Sequence, residues 1–154
     1  MRDLIQKFDL QLIGRFQKLE VPLARIAIFV VYFWFGILKL LGSSPAAPLV
    51  QALFDKTVPF MTFGVFYSLF SVFEIIIGLL FLFRGYERTA LSLLGLHLIM
   101  TTLPLIFLPA ITWQGFLVPT LEGQYIIKNI LIVASAVVIG SRLVPRSSSG
   151  EQVR

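Results

Sequence analysis

A chain of 154 residues that is 57% hydrophobic and 14% charged, with a net charge of +5, would expose too much apolar surface as a dispersed soluble domain. The composition therefore points to an integral membrane protein of one compact domain. With no cysteine, the chain alone makes no disulfide, thiol nucleophile or Cys-ligated metal site, and no aromatic–basic pattern points to nucleic acid.

Residues 1–20 mix charges with apolar positions and lack the continuous apolar core of a cleaved signal peptide. Ile5, Phe8, Leu12, Phe16 and Leu19 recur at helical spacing, with Arg2, Lys7, Arg15 and Lys18 at polar positions. This pattern predicts an amphipathic helix lying on the cytoplasmic leaflet, with a helix docked on a partner protein as the alternative.

Four segments then have the roughly 20 apolar residues that a bilayer-spanning helix needs: Val21–Leu41, Phe63–Phe83, Thr89–Pro109 and Tyr125–Leu143. Short connections predict an all-α, up-down-up-down four-helix bundle over residues 21–143. Between the spans, the 42–62 and 110–124 segments carry Pro45, Pro48, Pro59, Trp113, Phe116 and Pro119 among apolar residues. They are expected at the outer interface as short helices or caps. Residues 144–154 read as a disordered tail. At its start Leu143-Val144-Pro145-Arg146 matches a thrombin-type recognition sequence, native or a scar of cloning.

Lys and Arg gather on one side. Arg2, Lys7, Arg15 and Lys18 precede the first span, Arg84 and Arg88 join the second to the third, and Arg142, Arg146 and Arg154 follow the fourth. The positive-inside rule places both termini in the cytoplasm.

Glu74 is the only charge between Phe63 and Phe83. A carboxylate near the bilayer centre costs about 2.5 kcal/mol or more on insertion scales, so Glu74 marks a functional site by default. Each span carries one polar stripe: Arg25, Tyr32, Gly36 and Lys39; Tyr67, Ser71, Glu74 and Gly78; His97 and Thr101, with Pro104 one turn on; and Gln124, Lys128, Ser135 and Arg142. The four stripes predict a shared polar interior.

At about 1.5 Å per residue, Glu74 and His97 both lie roughly 13 Å from the cytoplasmic edge, level enough to hydrogen-bond. Lys128 lies about 21 Å from that edge, and its long side chain is expected to reach toward Glu74. Lys39, near the outer end, is expected to snorkel to the interface. Gly36, Gly78 and Gly95 are expected at close helix contacts, and Pro104 at a kink compensated by Thr101. A single histidine excludes a bis-His haem.

Glu74 and His97 would relay a proton or hydrogen-bond the carbonyl oxygens of a quinone-like ligand, between walls formed by Phe29, Tyr32, Phe70 and Phe73. The alternatives are a small proton-coupled transporter and a ligand-free structural or assembly factor. No nucleophile–base set or three-ligand metal set is visible, and catalysis by this chain alone is not expected.

Several features in order and spacing resemble the DoxX-like small membrane proteins, most closely the branch linked to reactive-chlorine resistance. They are Arg25 and Gly36-Ile37-Leu38-Lys39; Phe73-Glu74 and Gly78; Arg84-Gly85-Tyr86-Glu87-Arg88; Thr101-Thr102-Leu103-Pro104; and Tyr125-Ile126-Ile127-Lys128-Asn129. The resemblance covers residues 20–143. It implies a four-helix bundle in the bacterial inner membrane, associated with redox or oxidative-stress systems and with quinone-reducing partners, and possessing Arg25, Lys39, Glu74 and Lys128 as family-like polar positions. A homo-oligomer or a redox partner subunit is the expected assembly.

Overall fold

The computed structural model describes residues 2–58 and 60–144, without the side chains of residues 3 and 4. Apart from Val144, the expected 144–154 tail lies outside the described residues.

The protein is mostly helical, and four of its helical segments are long and apolar enough to cross a membrane, the mark of a multi-pass membrane protein. The first, α1, runs unbroken from Arg2–Leu40 with Pro22 inside it. At 39 residues it is roughly 58 Å long, well beyond the roughly 30 Å of a hydrocarbon core. The boundary expected at residue 20 is no break in the backbone: the basic N-terminal segment continues the helix of the first span. Its Ile5, Phe8, Phe16 and Leu19 side chains are exposed.

Helix α1 ends where Gly42 takes φ +69°. The Ser43 amide bonds Leu38 O and the Gly42 amide bonds Lys39 O, a Schellman closure that needs the left-handed glycine. Helix α2 (Ala47–Thr57) follows, started by Pro48, and then α3 (Phe63–Leu80). The turn after α3 uses Gly85 at φ +93°, whose amide donates to Glu87 Oε2. Glu87 opens α4 (Glu87–Thr102), and an acid in a first turn suits the positive helix end.

Pro104 has no amide hydrogen to continue α4, so α5 (Pro104–Phe107) begins there. The Thr101 and Thr102 hydroxyls donate to Leu98 O within the last turn of α4, so Thr101 does not bridge the break at Pro104. Next come α6 (Pro109–Thr112) and a hairpin of β1 (Trp113–Gly115) and β2 (Val118–Pro119), antiparallel with Trp113 opposite Pro119. Helix α7 (Leu121–Ile127) is capped by the Thr120 hydroxyl, which accepts from the Gly123 amide. After a tight turn at Lys128-Asn129, α8 (Ile130–Ser141) completes the fourth apolar segment.

Helix α1 packs most extensively on α3 and next on α8, while α4 packs on α3 and α8. Two glycines set the α1–α3 spacing. A Cβ at Gly36 would lie 2.7 Å from Ile75 Cγ1 and 3.0 Å from Ser71 O; one at Gly78 would lie 2.9 Å from Phe33 N. Gly36 thus faces residues 71–75 while Gly78 faces 29–33, so α1 and α3 run antiparallel. Gly95, expected at a close contact, has nothing within 4 Å of its Cβ position.

Ile28, Tyr32, Ile77, Phe81, Ala90, Leu94 and Ile139 form the core between the helices. The outward faces carry exposed Trp34, Phe35, Leu69, Ile99 and Val137, as a lipid-facing surface requires. At the loop end, α2, α5, α6 and the hairpin cover the bundle. Phe54 of α2 packs its ring 5.0 Å from Phe66 and 5.6 Å from Phe63, and Trp113 Nε1 donates to Leu105 O. The opposite, basic end carries Arg25, Arg84, Arg88 and Arg142.

Candidate functional site: a buried four-residue chain

Three helices bring four polar side chains into one hydrogen-bonded line. Lys39 Nζ donates to Glu74 Oε2 at 2.5 Å, Glu74 Oε1 lies 2.9 Å from His97 Nε2, and His97 Nδ1 lies 3.0 Å from the Tyr32 hydroxyl. All four are buried, with exposures of 8% for Lys39, 5% for Glu74, 5% for His97 and 4% for Tyr32.

The donor–acceptor inventory orders the protons. A carboxylate only accepts, so Lys39 and His97 Nε2–H both donate to Glu74. In a neutral imidazole Nδ1 then accepts, and the Tyr32 hydroxyl is its donor. This arrangement uses every ring nitrogen and both carboxylate oxygens, and its one positive charge cancels its one negative charge. Lys39 retains two ammonium protons with no acceptor among the described residues.

Aromatic rings hold the imidazole in place. Phe70 stacks on His97 at 5.0 Å with an interplanar angle of 19°, Tyr32 meets it edge-on at 4.9 Å, and Phe73 lies at 6.1 Å. Phe29 instead stacks on Phe33 at 5.1 Å, beside Gly78.

Glu74 and His97, placed level by their depth, are directly bonded. The cationic partner of Glu74 is Lys39, not Lys128, and the expected snorkelling of Lys39 does not occur. Helical side chains lean toward the N-terminus of their own helix. Helix α1 starts at the basic end, so Lys39 leans back into the bundle and reaches Glu74. Helix α7 starts at the loop end, so Lys128 leans outward, and its ammonium sits 5.3 Å from the centre of the exposed Tyr125 ring.

Arg25 is also outside the chain. It lies at the basic end, donating from Nε to Phe81 O at 2.6 Å and from Nη1 to Glu87 Oε1 at 2.7 Å. Thr101 is half-buried and spends its hydroxyl on Leu98 O. The fourth polar stripe does not reach the interior: Gln124, Lys128 and Arg142 are exposed, and Arg142 pairs with Glu20. Gly123, Ile126 and Ile139 are buried there instead, because the turn at Lys128-Asn129 interrupts the helical phase. The polar interior is thus built by three helices rather than four.

The sequence reading named neither Glu87 as the partner of Arg25 nor Tyr67 as a site residue. The first pair was findable, since both charges lie at the same end of the bundle and opposite charges there seek each other. Tyr67 stands out only in three dimensions: its hydroxyl is buried and has no hydrogen-bond partner. A separate open groove of about 390 Å³ runs between α1 and α8 beside Ala24, Ala27, Ala134 and Ser135, away from the chain. Among the described residues, no three His, Asp or Glu side chains are placed to hold a metal ion.

Comparison with protein-family models, curated proteins and solved structures gives no match.

Proposed function

We propose that this protein is a DoxX-like component of the bacterial inner membrane, an up-down-up-down four-helix bundle with both termini in the cytoplasm, serving a redox or oxidative-stress-defence system. The exposed apolar positions of residues 5–19, flanked by Arg2, Lys7, Arg15 and Lys18, meet the cytoplasmic leaflet or a partner subunit there. In this reading the Lys39–Glu74–His97–Tyr32 chain stores a proton beside a bound quinone-like or other small amphipathic molecule. The remaining ammonium protons of Lys39 are the donors for its carbonyl oxygen, and Phe70 is the flat apolar wall.

The observation that carries this reading is the continuous hydrogen-bonded line of four ionisable groups in the apolar interior. A lone acid needs one partner to be tolerated in a membrane; a line of four linked groups supplies more than that, and gives a proton several sites among which to be held or passed.

The test is mass spectrometry of the small molecules extracted from the detergent-solubilised, monodisperse protein, wild type against Glu74→Gln. The expected result is a quinone or other defined molecule that is present in the wild type and lost in the variant. Bulk phospholipid alone in both refutes the ligand reading.

A second reading is favoured by one specific observation: both ring nitrogens of His97 and both oxygens of Glu74 already have partners within the protein. A ligand-free scaffold would use such a set to fix helix register. Under that reading Glu74→Gln lowers stability and abundance and changes no ligand response.

A further inference from the structure

The surroundings of the four-residue chain differ sharply between its two sides. Toward the basic end the next layer is Ile28, Ile77, Phe81 and Leu94, at 0–2% exposure. Arg25, the first ionisable group beyond that layer on α1, is seven residues from Tyr32, about 10 Å along the helix. Its Nε and Nη1 are engaged by Phe81 O and Glu87, and its Nη2 is buried without a partner, but all three lie on the far side of that apolar layer from the chain. An apolar layer packed at interior density offers neither a hydrogen-bonding group nor room for water.

Toward the loop end polar groups continue, set between the buried rings of Phe54 and Phe70. Lys39 has its unused ammonium protons. Tyr67 lies on the same α3 stripe, seven residues or about 10 Å from Glu74, and its hydroxyl is buried at 9% residue exposure without a partner. Ser71, between them, spends its hydroxyl on Tyr67 O. Ser44, in the turn after α1, lies beside Tyr67 outside hydrogen-bond geometry and is only half-buried. A buried hydroxyl with no partner costs free energy unless something reaches it, and water or a proton carrier is what this geometry admits.

We propose that the Lys39–Glu74–His97–Tyr32 chain is a proton-binding site loaded from the loop end alone, through Ser44 and Tyr67, and sealed from the basic end by Ile28, Ile77, Phe81 and Leu94. A proton passes from water at the loop end to the Glu74–His97 pair, raises the net charge of the chain by one, and leaves by the same route. The ionisable groups facing this pair are Lys39 and Tyr32 from α1 and Tyr67 from α3; α7 and α8 direct Lys128 and Arg142 elsewhere. The inference rests on the reading of these residues as a proton site, and it holds whichever ligand is bound. A site open to one side supports uptake and return of protons on that side and excludes a continuous transmembrane path through this state.

Two features of the sequence make the test selective. His97 is the only histidine, so ¹⁵N-histidine labelling reports this site alone. The chain has no cysteine, so Ser43→Cys, at an exposed position, reports vesicle orientation by its reaction with an impermeant thiol reagent. The full-length protein is reconstituted into sealed vesicles sorted by orientation, and the bath pH is changed while the lumen is buffered. The expected result is that the His97 ring signals shift when the loop end faces the bath and stay unchanged when the basic end does. Tyr67→Phe, which removes no hydrogen bond, slows that shift by about tenfold or more, the scale of a lost acid–base step. A shift driven from the basic end, none from either end, or an unchanged rate in Tyr67→Phe overturns the proposal. None of these results bears on whether a quinone co-purifies, so this inference and the ligand reading fail separately.

Discussion

The Lys39–Glu74 pair makes an asymmetric prediction. Both side chains are nearly excluded from the surface, at 8% and 6% exposure, and they bond at 2.5 Å. Removing one member of a buried pair leaves an uncompensated charge and costs about 3–5 kcal/mol. The two members differ in their freedom to escape. Lys39 sits one residue from the end of α1 on a four-carbon stem and can swing toward the loop end. Glu74 is in the middle of α3 on a short stem and cannot. Lys39→Met, which strands the carboxylate, is therefore expected to cost about 4–5 kcal/mol, and Glu74→Gln, which strands the ammonium, about 3 kcal/mol. The Gln keeps an acceptor for His97 Nε2, so no second penalty is added. The double variant removes both charges and is expected to cost only about 1–2 kcal/mol, since apolar replacement of a whole buried pair is often near neutral. The resulting coupling of several kcal/mol is far above the roughly 0.6 kcal/mol average of interhelical hydrogen bonds in membranes. The assay is reversible unfolding in mixed detergent micelles across the full mutant cycle. Costs that add to within about 0.5 kcal/mol refute the reasoning, as does a Lys39→Met cost below that of Glu74→Gln.

The glycines separate by what a methyl group meets. Gly78→Ala collides with the backbone of Phe33 and Phe29 and is expected to cost about 1–3 kcal/mol in the same assay. Gly36→Ala meets Ile75 Cγ1 at 2.7 Å and the backbone Ser71 O at 3.0 Å and is expected to cost a similar amount. Gly95→Ala meets nothing and gains up to about 1 kcal/mol from helix propensity. Lys128→Ala leaves stability within about 0.5 kcal/mol, because its ammonium touches only an exposed Tyr125 ring. Arg25→Lys costs about 1–3 kcal/mol, because one ammonium does not reproduce the geometry in which a guanidinium joins α1 to the end of α3 and the start of α4; Glu87→Gln, measured alongside, costs less than Arg25→Lys.

What was legible in the sequence was the one-dimensional part of the problem. Apolar runs of bilayer length, prolines in the connecting segments, and the depths of Glu74 and His97 follow from helix rise and composition. They sufficed to place four membrane-length helices and to set Glu74 beside His97. Tertiary structure decided what depends on direction and phase. Whether a lysine leans toward or away from a carboxylate depends on which end its helix starts from, and this assigned Lys39 rather than Lys128 to Glu74. The turn at Lys128-Asn129 shifts the phase of the fourth segment by an amount that residue counting does not register, and it turned an expected polar face outward. The division of the interior into an apolar layer at Ile28, Ile77, Phe81 and Leu94 and a polar approach at Tyr67 arises from side chains on three helices meeting at one level. Such a meeting is a property of packing, because residues far apart in the chain become neighbours only once the helices have docked.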